Sequence, residues 1–357
     1  EHDASYKQES KPRYLTSQIA KIRAQTHQAT VVLGSATPSL ESYSRALKGV
    51  YDLYELKNRI NQMPLPTVEI VDMVNETRQR NYSLFSRRMK EQIQATIDRH
   101  EQVILLLNKR GYATYLQCQD CGEVVKCPHC DVTLTYHKDE HQLKCHYCEY
   151  VQSYPQSCAH CGSTHFKTVG YGTQKIEEEL EKTFLNAKVI RYDVDTTKNK
   201  NSHFQLLEQF KKQKANILLG TQMIAKGLDF ENVTFVGVLN ADLSLNVPDF
   251  RASERTFQLL CQVAGRSGRG SKAGTVLIQT YNPEHYAITC ASHHDYQAFY
   301  QQEMLYRQKA LYPPYCHMVS ILIQSKHEDI LQIACQDIKN YLLAHTHQCK
   351  ILGPAHS

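Results

Sequence analysis

Eight cysteines stand in one short tract as four pairs, each with two residues between its cysteines. The pairs are Cys118/Cys121, Cys127/Cys130, Cys145/Cys148 and Cys158/Cys161. A C-x2-C turn directs two thiolates at one ion, about 2.3 Å away for zinc, and two such turns complete the tetrahedral set that Zn²⁺ accepts. Eight thiolates therefore predict two zinc sites. Because four protein ligands leave no position for a catalytic water, we expect both ions to be structural.

Other uses of these cysteines fit the pattern less well. A disulfide framework needs an oxidising compartment, and nothing in this sequence resembles a signal peptide. Iron–sulfur clusters are held by cysteines at different spacings. His129, His146 and His160 lie beside the pairs, but eight cysteines already supply eight ligands. We expect these histidines to be surface residues.

The spacing leaves open which pairs share an ion. Consecutive, crossed and nested partitions all keep each C-x2-C pair together. The segment Thr133–Leu143 alternates polar and apolar side chains and predicts a hairpin, which would bring the two inner pairs together and so favours the nested partition. A module of roughly fifty residues buries little core, so the metals would supply most of its folding energy.

Length and composition suggest two or three domains. The chain has 357 residues, with Lys+Arg 41 against Asp+Glu 36 and a net charge of +5. This excess of positive charge permits nucleic-acid binding without arguing for it. The apolar runs are too short to span a membrane, so we expect a soluble cytoplasmic protein.

The cysteine tract interrupts a regular alternation of strand and helix patterns. Before the tract stand a helix capped by Ser86 and the apolar run Val103–Leu107. After it, apolar runs predict strands at Lys188–Tyr192, Ile217–Leu219, Val233–Leu239 and Thr275–Gln279, with helical patterns between them. The alternation predicts an α/β fold, with a parallel sheet covered by helices on both faces.

The remaining segments are shorter and flank this unit. Residues 16–28 predict a helix, and Val31–Leu33 predicts a strand. Two prolines in Asn58–Pro66 indicate a linker. Near the end, Met318–Ile323 predicts a strand before a helix that contains Ile330 and Leu342.

Two loops of the α/β unit could contact phosphates. Gly220–Phe230 follows a predicted buried strand, and Gln262–Gly270 follows a predicted helix. In the second loop Arg266 and Arg269 lie among glycines, which suits bidentate contact with phosphate oxygens. The alternative is that basic residues at a helix C-terminus only complement its dipole.

Four stretches, in order, resemble the conserved motifs of superfamily 2 helicases. Gly34–Thr37 resembles motif III, Leu107–Gly111 motif IV, Gly220–Phe230 motif V and Gln262–Arg269 motif VI. With eight cysteines inserted directly after motif IV, essentially the whole chain resembles the primosomal protein N′ (PriA) family of replication-restart DNA helicases. Glu1-His2-Asp3 would then be the remainder of motif II.

The resemblance implies a domain organisation and an activity. Residues 1–58 would belong to the first RecA-like lobe, 59–115 and 166–295 to the second, 116–165 to the zinc-binding insertion, and 296–357 to a truncated C-terminal domain. The full-length protein would use ATP and Mg²⁺ to move 3′ to 5′ along DNA. This chain alone should lack ATPase activity.

The resemblance also implies roles for individual residues. Gln262, Arg266 and Arg269 would be catalytic, with both arginines reaching the β/γ-phosphates. Gly227, Asp229 and Gly265 would lie beside the nucleotide. Ser35, Thr37, Thr221 and Gln222 would contact DNA or couple hydrolysis to movement. The metal pairing would be nested: Cys118, Cys121, Cys158 and Cys161 on one zinc, and Cys127, Cys130, Cys145 and Cys148 on the other.

The implied partners are forked and single-stranded DNA, single-stranded DNA-binding protein, other primosome proteins and the loading machinery of the replicative helicase. Leu228 replaces a His that many members carry, and Lys109 an Arg, and we expect both changes to tune activity. Aromatic side chains of the cysteine module could stack on unpaired bases or fill its core, namely Tyr136, Tyr147, Tyr150 and Tyr154. One rival function is a non-enzymatic zinc-ribbon adaptor that binds nucleic acid or protein. A second rival is an RNA helicase or a translocase that moves without unwinding.

Overall fold

The computed structural model describes residues 1–8, 10–56, 64–108, 115–137, 140–169, 172–197, 202–225, 230–268, 272–346 and 349–355. The chain divides into two compact units. The first contains Glu1–Pro64 and Tyr296–His317, and the second contains Leu65–Asp295 and Met318–Ser357.

The first unit begins with a short antiparallel pair, β1 (Lys7–Gln8) and β2 (Tyr14–Leu15). Helices α1 (Thr16–His27) and α2 (Leu40–Leu47) follow. The Ser39 side chain accepts the Ser42 N–H and so caps α2. The predicted strand Val31–Leu33 is wrong, because these residues lie in coil, with Val32 86% exposed. An extended segment becomes a strand only beside a partner, and among the described residues of this unit none pairs with it.

The second unit is built on a parallel sheet. Its elements before the cysteine tract are β3 (Thr67–Asp72), α3 (Met73–Arg78), α4 (Arg87–Asp98) and β4 (Gln102–Leu106). The cysteine tract forms β5 (Tyr115–Cys118), β6 (Thr135–His137), β7 (Gln142–Lys144), β8 (Val151–Ser153) and β9 (Phe166–Val169). The elements after it are α5 (Thr173–Thr183), β10 (Val189–Tyr192), α6 (Ser202–Lys211), β11 (Ile217–Gly220), β12 (Val233–Val238), α7 (Asp242–Leu245), α8 (Ala252–Ala264), β13 (Thr275–Thr280) and α9 (Tyr286–Ser292).

The strand order of this sheet is β10-β11-β4-β12-β13-β3, and all five pairings are parallel. All residues of β4, β11 and β12 are buried, which is why these strands appear in the sequence as unbroken apolar runs. The predicted α/β fold is confirmed. The chain between β4 and α5 leaves this sheet and forms the cysteine module.

Two helices complete the described chain. Helix α10 (Tyr296–Ala310) belongs to the first unit, and α11 (Glu328–His345) to the second. The strand predicted at Met318–Ile323 is wrong, because these residues lie in coil and no described strand pairs with them. Among the described residues, no helix has the length and apolar character needed to span a bilayer.

Candidate functional site

The eight cysteines form two groups of four, and the grouping is the nested one. The outer group is Cys118, Cys121, Cys158 and Cys161, and the inner group is Cys127, Cys130, Cys145 and Cys148. The Sγ atoms of Cys118 and Cys161 are 3.6 Å apart, as are those of Cys121 and Cys158 and those of Cys127 and Cys148. A disulfide would need about 2.05 Å. Thiolates about 2.3 Å from one zinc in a tetrahedron would be about 3.8 Å apart, so the separations fit metal sites.

All four C-x2-C turns have the same backbone. The N–H of the first cysteine donates to the carbonyl five residues on, and the N–H four residues on donates back to the first cysteine's carbonyl, as in Cys158 N–H to Ser163 O (2.7 Å) and Gly162 N–H to Cys158 O (2.8 Å). The residue after the second cysteine has a positive φ each time: Gly122 (78°), Asp131 (52°), Glu149 (62°) and Gly162 (76°). The outer turns thus use the residue that adopts this conformation without strain, and the inner turns do not.

Ionisation of the clustered thiols calls for a cation. Burial, together with hydrogen bonds to Cys148 and Cys145, raises the pKa of Cys127 to about 11. The pKa of Cys148 is lowered overall. Burial alone would raise this pKa, but hydrogen bonds from the Tyr150 N–H and from neighbouring thiols outweigh the effect of burial. Thiols sharing one site cannot all ionise unaided. A divalent ion would supply the missing positive charge, so both donor sets fit Zn²⁺.

The cysteine module packs against the α/β part of the second unit through its stem, which is the antiparallel pair β5–β9. Tyr115 and Val169 of the stem pack with Leu243 of α7. The first cysteine turn lies against the residue that follows β13, because a Cβ added to Gly122 would be 2.8 Å from both Cβ and O of Tyr281. The Lys167 ammonium lies 3.7 Å from the centroid of the Tyr281 ring.

A buried carboxylate supports this contact from the side of the sheet. Asp242 is 2% exposed, and its Oδ2 accepts the Tyr281 N–H at 2.8 Å. Burial raises the pKa of Asp242 to about 6 and lowers the pKa of Lys167 to about 8. Each of these two groups is therefore costly to bury in its charged form. The sequence pattern gave no signal for either group.

The tyrosines of the module mostly fill its core. Tyr136 is buried and contacts His141 Nδ1 through its hydroxyl (3.1 Å). The Tyr147 hydroxyl accepts the Phe250 N–H at 3.3 Å, and burial raises its pKa to about 12. Tyr150 packs edge-to-face with His129. Tyr154 is 40% exposed, which leaves part of its ring accessible.

The loop that resembles motif V begins at the carboxyl end of β11. A Cβ on Gly220 would be 2.5 Å from Tyr192 O, so only glycine fits there. Thr221 and Gln222 follow at this edge and are half-buried, and a 3-10 turn spans Gln222–Ala225. Gly227, Leu228 and Asp229 lie outside the described residues, as do Lys109–Gly111 of motif IV. The described part of motif IV is Leu107-Asn108, and the Leu107 N–H donates to Gly220 O at 2.9 Å.

The loop that resembles motif VI lies at the opposite, amino-terminal edge of the sheet. Helix α8 carries Gln262 and ends before Gly265 and Arg266, all three half-buried. Next comes Ser267, which is fully buried and donates to Thr234 O of β12 (3.0 Å) and Thr275 O of β13 (3.3 Å). Arg269 lies outside the described residues.

The ends of these two loops meet. The Gly268 N–H donates to Val233 O at 3.4 Å, and the Val233 N–H donates to Phe230 O at 3.3 Å. Motif V thus starts at the carboxyl edge of the sheet, and Val233, three residues after its last residue Phe230, accepts a hydrogen bond from the motif VI loop. Sequence patterns predicted neither this meeting nor the role of Ser267.

The Glu101 carboxylate binds Lys272, which lies two residues after the motif VI loop. Glu101 accepts Lys272 Nζ (2.7 Å), Thr234 Oγ1 (2.6 Å) and Arg99 Nε (3.0 Å). Burial alone would raise the pKa of Glu101, but these hydrogen bonds outweigh it and lower the pKa to about 2. Described residues on either side of positions 269–271 are therefore held by hydrogen bonds, Ser267 and Gly268 before them and Lys272 after them.

The loop that resembles motif III lies in the first unit. Ser35 Oγ accepts the Thr37 N–H at 3.0 Å and is 2.6 Å from His2 Nδ1. Thr37 is buried. The structure thus brings the opening His2 to motif III.

Comparisons with known proteins match this arrangement. Residues 127–152 match the PriA DNA helicase Cys-rich region (CRR) domain, and 158–271 match the helicase conserved C-terminal domain. The chain is 52% identical over 360 residues to the replication restart protein PriA of Bacillus subtilis (strain 168). This chain belongs to the PriA family. The match covers 100% of the chain and 44% of that PriA protein, so the chain spans less than half of its relative's length.

A second PriA relative comes from Synechocystis sp. (strain ATCC 27184 / PCC 6803 / Kazusa). It is 41% identical, and the match covers 99% of this chain and 44% of the relative. A solved structure of S. cerevisiae Dbp5 bound to RNA and ADP BeF3 overlaps 85% of this chain and 60% of its own, with a TM-score of 0.40 and 12% identity. That likeness is too weak to add to the strand order described above. The inner cysteine group lies within the PriA Cys-rich match.

Proposed function

We propose that this chain is the part of an ATP-dependent DNA helicase that contains the second motor lobe, a two-zinc insertion and a portion of the first motor lobe. The full-length protein recognises stalled or repaired replication forks and initiates primosome assembly there. The PriA relatives and the matched helicase C-terminal domain support this reading. In this proposal residues 1–58 belong to the first lobe, 59–115 and 166–295 to the second lobe, 116–165 to the zinc-binding insertion and 296–357 to a C-terminal domain.

One observation carries the proposal: the hydrogen bond between Gly268 and Val233 brings the motif VI loop to the end of motif V. Arg266 and Arg269 then approach the nucleotide together with Gly227, Asp229, Gly265 and Gln262. Thr221 and Gln222 stay at the opposite edge of the sheet, where they are available to DNA. The nucleotide and the DNA would then lie at different edges of one sheet.

In this proposal Arg266 and Arg269 stabilise the charge that develops on the transferred phosphoryl group. In the full-length protein ATP and Mg²⁺ would also contact residues of the first lobe, and we expect the chain alone to hydrolyse no ATP. Ser35 and Thr37 couple hydrolysis to lobe movement, which proceeds 3′ to 5′ along one strand.

The two zinc ions are structural. Bound zinc supplies folding energy to a module with little core of its own. The outer cysteine group closes the stem that contacts the sheet, and the inner group closes the hairpin β6–β7. The module would contact single-stranded DNA-binding protein, other primosome proteins and the helicase-loading machinery. Because the PriA relatives come from bacteria, whose chromosome lies in the cytoplasm, we expect the full-length protein to act there.

The test uses the full-length protein, with DNA and RNA forks of matched sequence. We expect ATP-dependent unwinding of DNA forks with a 3′ tail. Arg266→Ala should reduce ATP hydrolysis about a thousandfold, while Arg88→Ala, an exposed arginine of α4, should leave it within twofold of wild type. Equal unwinding of RNA forks would favour an RNA helicase, hydrolysis without unwinding a translocase, and zinc binding without nucleic-acid-stimulated hydrolysis an adaptor.

A further inference from the structure

Helix α10 lies in the chain between the two segments of the second unit but folds with the first unit. The first segment of the second unit ends at Asp295, and α10 begins at Tyr296. Just before this point, His294 Nε2 is 3.3 Å from the carbonyl of Pro66, which lies where the chain enters the second unit. The chain therefore leaves the second unit beside the place where it entered.

Within the first unit, α10 contacts α2 near its first residues and again farther along the helix. The Tyr43 ring of α2 packs edge-to-face on the rings of Tyr296 (5.0 Å) and Tyr300 (4.9 Å). Farther along α10, Arg307 is 1% exposed, binds Glu303 at 2.8 Å and lies 3.8 Å from Glu41 of α2. A buried, paired arginine cannot shift without losing its partners, so it fixes the register of the two helices.

The first residue of α10 reaches the motif III loop. The Tyr296 hydroxyl donates to the carbonyl of Pro38 at 2.8 Å. Pro38 directly follows Thr37, and α2 begins two residues later at Leu40. A shift of α10 would therefore act on the loop that carries Ser35 and Thr37.

We propose that Tyr296 is a positioning residue for motif III. Its hydrogen bond to the Pro38 carbonyl fixes the position of the motif III loop relative to α10. Because Tyr296 directly follows the last residue of the second unit's first segment, movement of that unit is passed along the chain to motif III. The inference rests on the proposed helicase function. Tyr296 touches neither nucleotide nor DNA in this role, and its effect is on the coupling of hydrolysis to strand separation.

Tyr296→Phe removes only the hydroxyl, and Tyr300→Phe is its matched control. Tyr300 makes the same ring contact with Tyr43, and in the described part of the chain its hydroxyl donates no hydrogen bond. In the full-length protein, Tyr296→Phe should keep DNA-stimulated ATP hydrolysis within twofold and lose at least fivefold in base pairs unwound per ATP. Tyr300→Phe should match wild type in both.

A second measurement is independent of activity. Hydrogen–deuterium exchange of the 357-residue chain should be at least fivefold faster around residues 31–38 in Tyr296→Phe than in wild type or Tyr300→Phe. Unchanged exchange there would overturn the inference. If the wild type unwinds DNA, an unchanged number of base pairs unwound per ATP in Tyr296→Phe would overturn it as well. A wild-type protein that unwinds no DNA would instead overturn the proposed function.

Discussion

The ammonium of Lys167 lies 3.7 Å from the centroid of the Tyr281 ring, joining the stem of the cysteine module to the residue that follows β13. Burial lowers the pKa of Lys167 to about 8 from 10.5. The contact thus places a cation where water is largely excluded, and the stability of the second unit should depend on pH.

Replacing Lys167 with Met should remove this pH dependence. Because the pKa is lower in the folded state, the unfolded chain binds more protons between pH 8 and 10.5, and wild-type stability rises through that window. The contribution is fully present above pH 10.5 and is lost as pH falls through 8. Between pH 8 and 10.5 the free energy of unfolding of the wild type should rise by on the order of 3 kcal/mol relative to that of Lys167→Met. Urea unfolding at several pH values measures this difference. A difference that stays flat across the window would contradict the burial of this ammonium.

The glycines of the two outer cysteine turns offer a matched pair. Gly122 and Gly162 have φ of 78° and 76°, but an added Cβ would crowd Tyr281 only at Gly122 and would meet nothing within 4 Å at Gly162. Gly162→Ala should cost about 1 kcal/mol from backbone strain. Gly122→Ala should cost about 3 kcal/mol, because the clash adds to that strain. Equal losses in thermal unfolding would show that the first turn is not packed on Tyr281.

Zinc content should follow the nested grouping. Native mass spectrometry should find two zinc ions per wild-type chain and one in either Cys118→Ser or Cys127→Ser, because each serine removes a thiolate from a different site. In the double variant Cys118→Ser/Cys161→Ser one zinc should remain, since both positions belong to the outer group. Loss of both ions from that double variant would refute the grouping.

The motif VI loop should be sensitive to the residue on which it packs. A Cβ on Gly274 would collide with Ser267 Oγ and Gly268 N. Gly274→Ala should therefore displace the loop and lower kcat for ATP hydrolysis at least tenfold in the full-length protein, with little change in the affinity for single-stranded DNA. Ser267→Ala, which removes one side-chain donor, should cost about 1 kcal/mol of stability. A wild-type kcat in Gly274→Ala would mean that this packing does not position Arg266.

The inner cysteine turns should tolerate glycine better than their own residues. Asp131 and Glu149 hold positive φ values of 52° and 62°. Glu149→Gly should stabilise the module by about 1 kcal/mol, because glycine adopts this conformation without strain. The measurement is the chelator concentration that releases half of the zinc, and a lower value in Glu149→Gly would contradict the expectation.

The sequence by itself determined the local features of this protein. Each C-x2-C turn is set by residues within a span of six, and the buried strands β4, β11 and β12 are apolar throughout because both faces of their sheet are covered. The order of the helicase-like motifs also came from the sequence, through its resemblance to superfamily 2 helicases. These features need no knowledge of distant neighbours.

The tertiary structure decided everything that depends on partners remote in the chain. It brought Cys118 beside Cys161 across 43 residues and placed Lys167 against the Tyr281 ring. It also linked Phe230, at the end of motif V, to Gly268 of the motif VI loop through hydrogen bonds with Val233. It also left Val31–Leu33 in coil, with no partner strand among the described residues, although the apolar run predicted a strand. Strand pairing, metal sharing and packing are contacts between segments, and a local pattern shows only that a segment is able to make them.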